Sequence, residues 1–274
     1  MVKLLGERPV EGSTPDSLLA LHAAGYREVR ARLGEGVILD AGCGLGFETV
    51  SLGGRGRTVV GFDYDAATAA RAGSAFAGEG LKIACCDALA TCFRDASFDF
   101  VCSSHLIEHF RRPELHVAEM ARLLRRDGSA MILTPNRTAD FENPYHLHLF
   151  DRGELAETLG AFFAEVWVVG LDGSEAVKAD FAARRRRAEK ILRLDFLKLR
   201  KRIPHRWYTT IYSAALPVLY RLMARNDSGG ATGITSDDFR VTTDVDDTTL
   251  VLLAVCRSPR SNSGDLKAQT LNVK

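Results

Sequence analysis

Hydrophobic positions fall in two alternating patterns. Short apolar runs of strand length occur at Val37–Asp40, Arg57–Asp63, Leu81–Cys86, Ser97–Cys102, Ser129–Leu133, Ala164–Val169 and Thr249–Cys256. Between them lie stretches with helical spacing. Pro113–Arg125 is the clearest, an amphipathic stretch with Leu115, Val117, Met120, Leu123 and Leu124 at helical spacing. Ala66–Phe76 is alanine-rich, and Leu155–Leu159 begins another helix. Ser13-Thr14-Pro15-Asp16 supplies a hydroxyl cap and a first-turn proline for a helix to about Leu33, ended by Gly34. Strands alternating with helices predict an α/β fold with a mostly parallel sheet. The run at Thr249–Cys256 is the last strand. Residues 171–248 are then an insertion between strands six and seven, and the polar tail 258–274 is expected to lack regular structure.

One junction carries chemistry. Val37-Ile-Leu-Asp-Ala-Gly-Cys-Gly-Leu-Gly-Phe47 is a strand, an acid and a loop with glycine at 42, 44 and 46, with a helix expected after it. Glycine admits positive φ and close approach of a ligand to the backbone. Strand two ends in Asp63, which lies 21 residues after Gly42. That is about the interval for an acid that binds a ribose diol. Asp87 comes directly after strand three.

The form Asp40-Ala-Gly-Cys-Gly-Leu-Gly46 resembles motif I of class I S-adenosylmethionine-dependent methyltransferases. That resemblance implies a Rossmann-like sheet of seven strands with the last antiparallel. It implies that Asp40, Gly42, Gly44 and Gly46 hold the methionine end of S-adenosyl-L-methionine, that Asp63 with Tyr64 binds the ribose, and that Asp87 with Ala88 meets the adenine. Ser103, at the end of strand four, falls near the methyl group. The likeness covers residues 15–170 and the final strand.

On the acceptor side, Ser103-Ser-His-Leu-Ile-Glu-His-Phe110 looks like the Leu-Glu-His segment of type-11 methyltransferases. Some relatives that methylate small RNAs or quinones hold a divalent metal with E-x-x-E-H here, which implies magnesium at Glu108 and His109. This chain has His105 at the first acidic position, whereas magnesium prefers oxygen ligands. Thr134-Pro-Asn-Arg137 and Asn143-Pro-Tyr-His-Leu-His-Leu-Phe150 resemble bacterial O-methyltransferases of sugars and polysaccharides, the actinobacterial mannose-polysaccharide enzymes among them. A histidine with pKa near 6.5 can take the proton of an attacking hydroxyl. His146 is expected nearest the transferred methyl, with His109 beside it. In an extended segment His146 and His148 share a face.

The net charge of +1 conceals a split. Residues 178–206 carry 12 Lys and Arg against 3 acids, or +9, leaving 24 against 32 elsewhere. The stretch Phe181–Arg202 reads as a basic helix, broken at Ile203-Pro204, and Trp207–Met223 is apolar and aromatic. A lid or homodimer arm, a sugar-capturing surface and a peripheral membrane contact all fit it. Nucleic acid does not, since no RNA-binding module accompanies the patch. The alternatives to a sugar enzyme are a lipid or quinone O-methyltransferase at a membrane, and a cofactor-binding protein that acts through the insertion without catalysis.

The amino terminus is too polar for a signal peptide, and no run of 18 apolar residues could span a membrane. Six cysteines without metal-like spacing predict free thiols in a reducing, cytoplasmic setting.

Overall fold

The computed structural model describes residues 14–140, 143–193 and 233–260, with side chains of the insertion helix described to residue 186. The sheet is built from β1 (Gly36–Ala41), β2 (Arg57–Asp63), β3 (Lys82–Cys85), β4 (Phe98–Ser104), β5 (Leu124–Pro135), β6 (Phe163–Gly173), β7 (Phe239–Thr242) and β8 (Val251–Pro259). Its order is β3-β2-β1-β4-β5-β8-β6-β7. Strands β1 to β5 pair in parallel, and β8 inserts antiparallel between β5 and β6. The expected Rossmann-like architecture is therefore present, with eight strands instead of seven. The extra strand, β7, lies inside the stretch read as a helical insertion and pairs antiparallel with the end of β6. Its four residues are too few for a periodic signal.

Helices α1 (Asp16–Arg32), α2 (Ala66–Ala75), α3 (Pro113–Leu123), α4 (Arg152–Gly160) and α5 (Glu175–Arg193) complete the described residues. Alternation along each strand splits the core into two layers. Leu39, Val101 and Ile132 face α3 and α4 residues such as Val117, Met120 and Leu155. Ile38, Cys102 and Met131 face Leu21, Ala24 and Val29 of α1. The order reverses on either side of β1 and β4, which opens a crevice at their carboxyl ends.

Some boundaries move. β6 runs on to Gly173, so the insertion starts later than 171, and α5 covers only the first part of the basic helix expected at Phe181–Arg202. The remainder of that helix, the aromatic stretch Trp207–Met223 and residues 261–274 lie outside the described residues. α1 begins after Pro15 with no side-chain cap bond. Cys43, Cys85, Cys102 and Cys256 are free thiols, but Cys86 and Cys92 form a disulfide, which corrects the expectation for that pair. The turn after β3 brings their Cα atoms to 6.1 Å, within bridging range. No helix among the described residues is long and apolar enough to cross a membrane.

Candidate active site

The glycine loop leaves β1 with φ of +76° at Gly42, +54° at Gly44 and +84° at Gly46. A side chain in that region costs roughly 1–2 kcal/mol, so all three positions call for glycine. The Cys43 amide donates to the Phe62 carbonyl of β2 at 2.9 Å and fixes the loop to its neighbour. The loop leads into a single 3₁₀ turn, Thr49–Leu52, and not into the expected helix.

Asp40 is fully buried. Its carboxylate accepts the Tyr26 hydroxyl at 3.1 and 3.0 Å and the Thr49 hydroxyl at 2.6 Å. It thus clasps α1 and the 3₁₀ turn to the root of the loop. Burial raises its pKa to about 6, against the opposing pull of those hydroxyls. An aspartate near 3.8 ionises first in the unfolded chain, so ionisation costs stability that accumulates between about pH 4 and 6. Asp40→Asn cannot ionise. Its melting temperature relative to wild type should therefore improve as pH rises through that window and level off above it. A constant difference from acid to neutral pH would show that Asp40 does not titrate there.

Asp63 closes β2, is nearly buried, and accepts the Asp65 amide at 2.9 Å. Tyr64, beside it, is an exposed aromatic. Asp87 is exposed and caps its own turn by accepting the Leu89 amide at 2.9 Å, while Ala88 is buried. These residues stand at the carboxyl ends of β2 and β3, next to the glycine loop, where the motifs predict the ribose and adenine.

Two polar residues that support this side are not evident from the sequence. His116 of α3 is buried, with Nδ1 3.1 Å from the Ala88 carbonyl and Nε2 2.9 Å from the Ser103 hydroxyl. A carbonyl only accepts, so Nδ1 carries the proton and Ser103 donates to Nε2. Burial lowers the His116 pKa to about 4, which keeps the ring neutral. Glu119, also buried, accepts the amide and hydroxyl of Thr91, each at 2.7 Å. Both residues interrupt the apolar stripe of α3, and that interruption is the signal that could have found them.

The acceptor side is dense in histidine. His105 has φ of +52°, a strained value for a residue with a side chain. Its amide donates to the Leu133 carbonyl at 2.8 Å, tying β4's exit to β5. Its ring packs 4.5 Å from that of His22 on α1, another residue that no motif marks. Burial pushes the His22 pKa down to about 3. Glu108 and His109 sit in a 3₁₀ turn, Ile107–His109. The Glu108 carbonyl receives the amides of Leu147 at 2.8 Å and His148 at 3.1 Å, clamping the His146 segment over the turn.

The Glu108 side chain is wholly buried. Oε2 accepts the Thr134 hydroxyl at 3.1 Å, while Oε1 has no hydrogen-bond partner and lies 3.5 Å from His105 Nδ1. Burial would raise the Glu108 pKa, but the side-chain contact with His105 first, and then the charges of His109, His105 and His146, outweigh it and lower the pKa to about 2. One ligand atom from each of Glu108, His109 and His146 lies within 4.8 Å of the other two. His109 Nδ1 donates to the Tyr145 carbonyl at 3.0 Å, so in the neutral ring the lone pair is on Nε2. His148 departs from expectation: it pairs with Glu154 at 3.0 Å, away from His146, because the segment is not extended.

The insertion helix closes on this region. Asp180 of α5 accepts the Ser17 hydroxyl of α1 at 2.6 Å, and Arg185 donates to the Thr138 carbonyl at 2.7 Å.

Residues 39–132 match the model of a family described as "Methyltransferase domain". That stretch, from β1 through most of β5, is therefore similar to the methyltransferase domains of S-adenosylmethionine-dependent enzymes. A "Probable S-adenosylmethionine-dependent methyltransferase" of Mycolicibacterium smegmatis is 30% identical over 163 residues, which are 57% of this chain and 63% of that protein. The match thus spans less than two thirds of the relative's length. The fold resembles a SAM-dependent methyltransferase of Thermotoga maritima, described as a possible histamine N-methyltransferase. There the TM-score is 0.55 at 15% identity, covering 88% of this chain and 90% of that one. It also resembles a Haemonchus contortus phosphoethanolamine N-methyltransferase in complex with S-adenosylhomocysteine, at TM-score 0.54 and 15% identity over 88% of this chain and 53% of that one. The glycine loop and the acids after β2 and β3 lie together at one stretch of the crevice, and the histidine cluster lies beyond β4 and β5.

Proposed function

We propose that this methyltransferase transfers the methyl group of S-adenosylmethionine to a hydroxyl of a sugar or oligosaccharide. The observation that carries the reading is the convergence of His146, His109 and Glu108 beside the ends of β4 and β5. The sugar class rests on the Thr134–Arg137 and Asn143–Phe150 segments, which resemble sugar O-methyltransferases. The acceptor oxygen attacks the methyl carbon in line with the carbon–sulfur bond. That bond breaks with its electron pair on sulfur, leaving S-adenosylhomocysteine, and the hydroxyl proton passes to His146 Nε2. Alignment can supply about 7–11 kcal/mol of the barrier and the base roughly 10²–10⁴-fold.

A second reading is favoured by Oε1 of buried Glu108, which accepts no hydrogen bond among the described residues and lies 3.5 Å from His105 Nδ1. Glu108, His109 and His146 would then hold a divalent ion able to polarise the acceptor oxygen. Two imidazoles and one carboxylate suit manganese, iron, cobalt or zinc, and do not suit the magnesium that the sequence resemblance implied.

Methyl transfer from labelled cofactor to a sugar and oligosaccharide panel, with and without EDTA, tests both readings. Labelled O-methyl sugar that forms equally with chelator supports the histidine base. Loss with EDTA and rescue by manganese supports the ion. Transfer to lipid or quinone hydroxyls alone would move the acceptor to a membrane-borne class. Cofactor binding with no transfer to any acceptor would leave a binding protein.

A further inference from the structure

The His146 ring is held at both nitrogens. Nδ1 lies 2.6 Å from Asp140 Oδ1, and Nε2 lies 2.9 Å from the Asn143 side-chain nitrogen. The Asn143 amide is oriented by its own oxygen, which accepts the Tyr145 backbone N–H at 3.0 Å. Its nitrogen therefore faces His146, and an amide nitrogen only donates. Nε2 must then be the acceptor, which puts the proton on Nδ1. The carboxylate of Asp140 demands the same arrangement, because an ionised carboxylate only accepts. Two separate contacts thus specify one tautomer.

Asp140 is itself rigidly placed. Its amide and that of Ala139 donate to the Asn136 carbonyl at 3.0 and 2.9 Å. The Asn136 side chain is pinned to the carbonyls of Asp246 at 2.9 Å and Thr249 at 3.0 Å. The turn that carries Asp140 is therefore riveted to the end of β5 and to the entry of β8. The side chains of Asp140 and His146 are 7% and 11% exposed, so little water competes for their bond.

We propose that Asp140 is the positioning residue of the acceptor site. It holds His146 in the Nδ1–H tautomer, and Nε2 presents its lone pair at the spot the Asn143 amide fills until an acceptor hydroxyl displaces it. The inference rests on the proposed role of His146, whose lone pair either a proton or an ion would use. Asp140 only orients; the proton of the reaction never reaches it. Nothing in the sequence marked Asp140, because its partner lies six residues on, across a turn that no periodicity describes.

Asp140→Asn is nearly isosteric but removes the charged acceptor; its amide can meet Nδ1 through either its N–H or its oxygen, so only the Asn143 donor is left to favour the Nδ1–H tautomer. Nitrogen-15 NMR of histidine-labelled protein, with the His146 signal assigned by His146→Gln, reads the tautomer without any substrate. The expected result is a single Nδ1–H form in wild type and a mixture of Nδ1–H and Nε2–H forms in Asp140→Asn. Turnover on a mannose oligosaccharide should fall about 10²–10⁴-fold, with KM for cofactor and acceptor within about threefold. Asp140→Glu, which keeps a carboxylate, should recover part of the turnover and the Nδ1–H signal. An unchanged His146 tautomer in Asp140→Asn would overturn the inference, and so would near-normal turnover where His146→Ala is inactive. If His146→Ala is itself fully active, the function proposed for His146 fails, and the NMR signal still decides what Asp140 does.

Discussion

His146→Ala should lose about 10²–10⁴-fold in turnover, the usual worth of a positioned acid–base group, while cofactor affinity changes less than about threefold. The two effects separate because His146 is held by Asp140 and Asn143 and, among the described residues, makes no hydrogen bond to the glycine loop. Removing the ring leaves Asp140 and the Asn143 amide facing a space that water can fill, so the fold should persist. Isothermal titration with S-adenosylhomocysteine measures the affinity, and single-turnover transfer of labelled methyl measures the chemistry. Near-normal turnover would remove His146 from the mechanism. A large loss of cofactor affinity would mean that the donor and acceptor sides are coupled more tightly than their separate supports suggest.

The second large effect is expected on the donor side. Gly42→Val puts a β-branched side chain at φ of +76°, with its Cβ 3.0 Å from the Leu106 side chain. Backbone strain alone is roughly 1–2 kcal/mol, and relief requires the loop to leave the conformation that faces the cofactor. Each 1.4 kcal/mol is about tenfold, so S-adenosylhomocysteine binding should weaken at least about tenfold. The variant should still unfold cooperatively, since the loop contributes little to either core layer. Wild-type affinity in Gly42→Val would show that the loop backbone does not meet the ligand.

How much of the molecule was legible in its sequence depends on the range of the physics behind each feature. The strands β1, β2 and β4 were legible because apolar runs bounded by turn residues are local signals. The glycine loop was legible because positive φ leaves a compositional mark. β7 was missed, since its pairing with Gly170–Gly173 is decided by residues far along the chain. His116, Glu119 and Asp140 were missed for a related reason. Each acts through a contact to a different element, and one residue type at one position cannot announce such a contact. His146 and His148 looked alike in sequence and part company in space, because the segment turns and Glu154 draws His148 away. The disulfide between Cys86 and Cys92 likewise depends on how the turn after β3 folds back.

The glycine loop and the histidine cluster are supported differently. Asp40, with Tyr26 and Thr49, anchors the glycine loop from beneath. Asn136 and Asp140 steady the histidine side from the end of the sheet. Arg185 of α5 reaches the same turn through the Thr138 carbonyl.

The most direct test of the central claim is transfer from S-adenosylmethionine carrying a ¹³C methyl group. The protein is incubated with a panel of mannose and other oligosaccharides, and the products are read by NMR and mass spectrometry. The account predicts a ¹³C O-methyl ether on a sugar hydroxyl, formed in equal amount with S-adenosylhomocysteine and lost in His146→Ala. Cofactor that binds at the glycine loop but never yields its methyl group to any hydroxyl would contradict it.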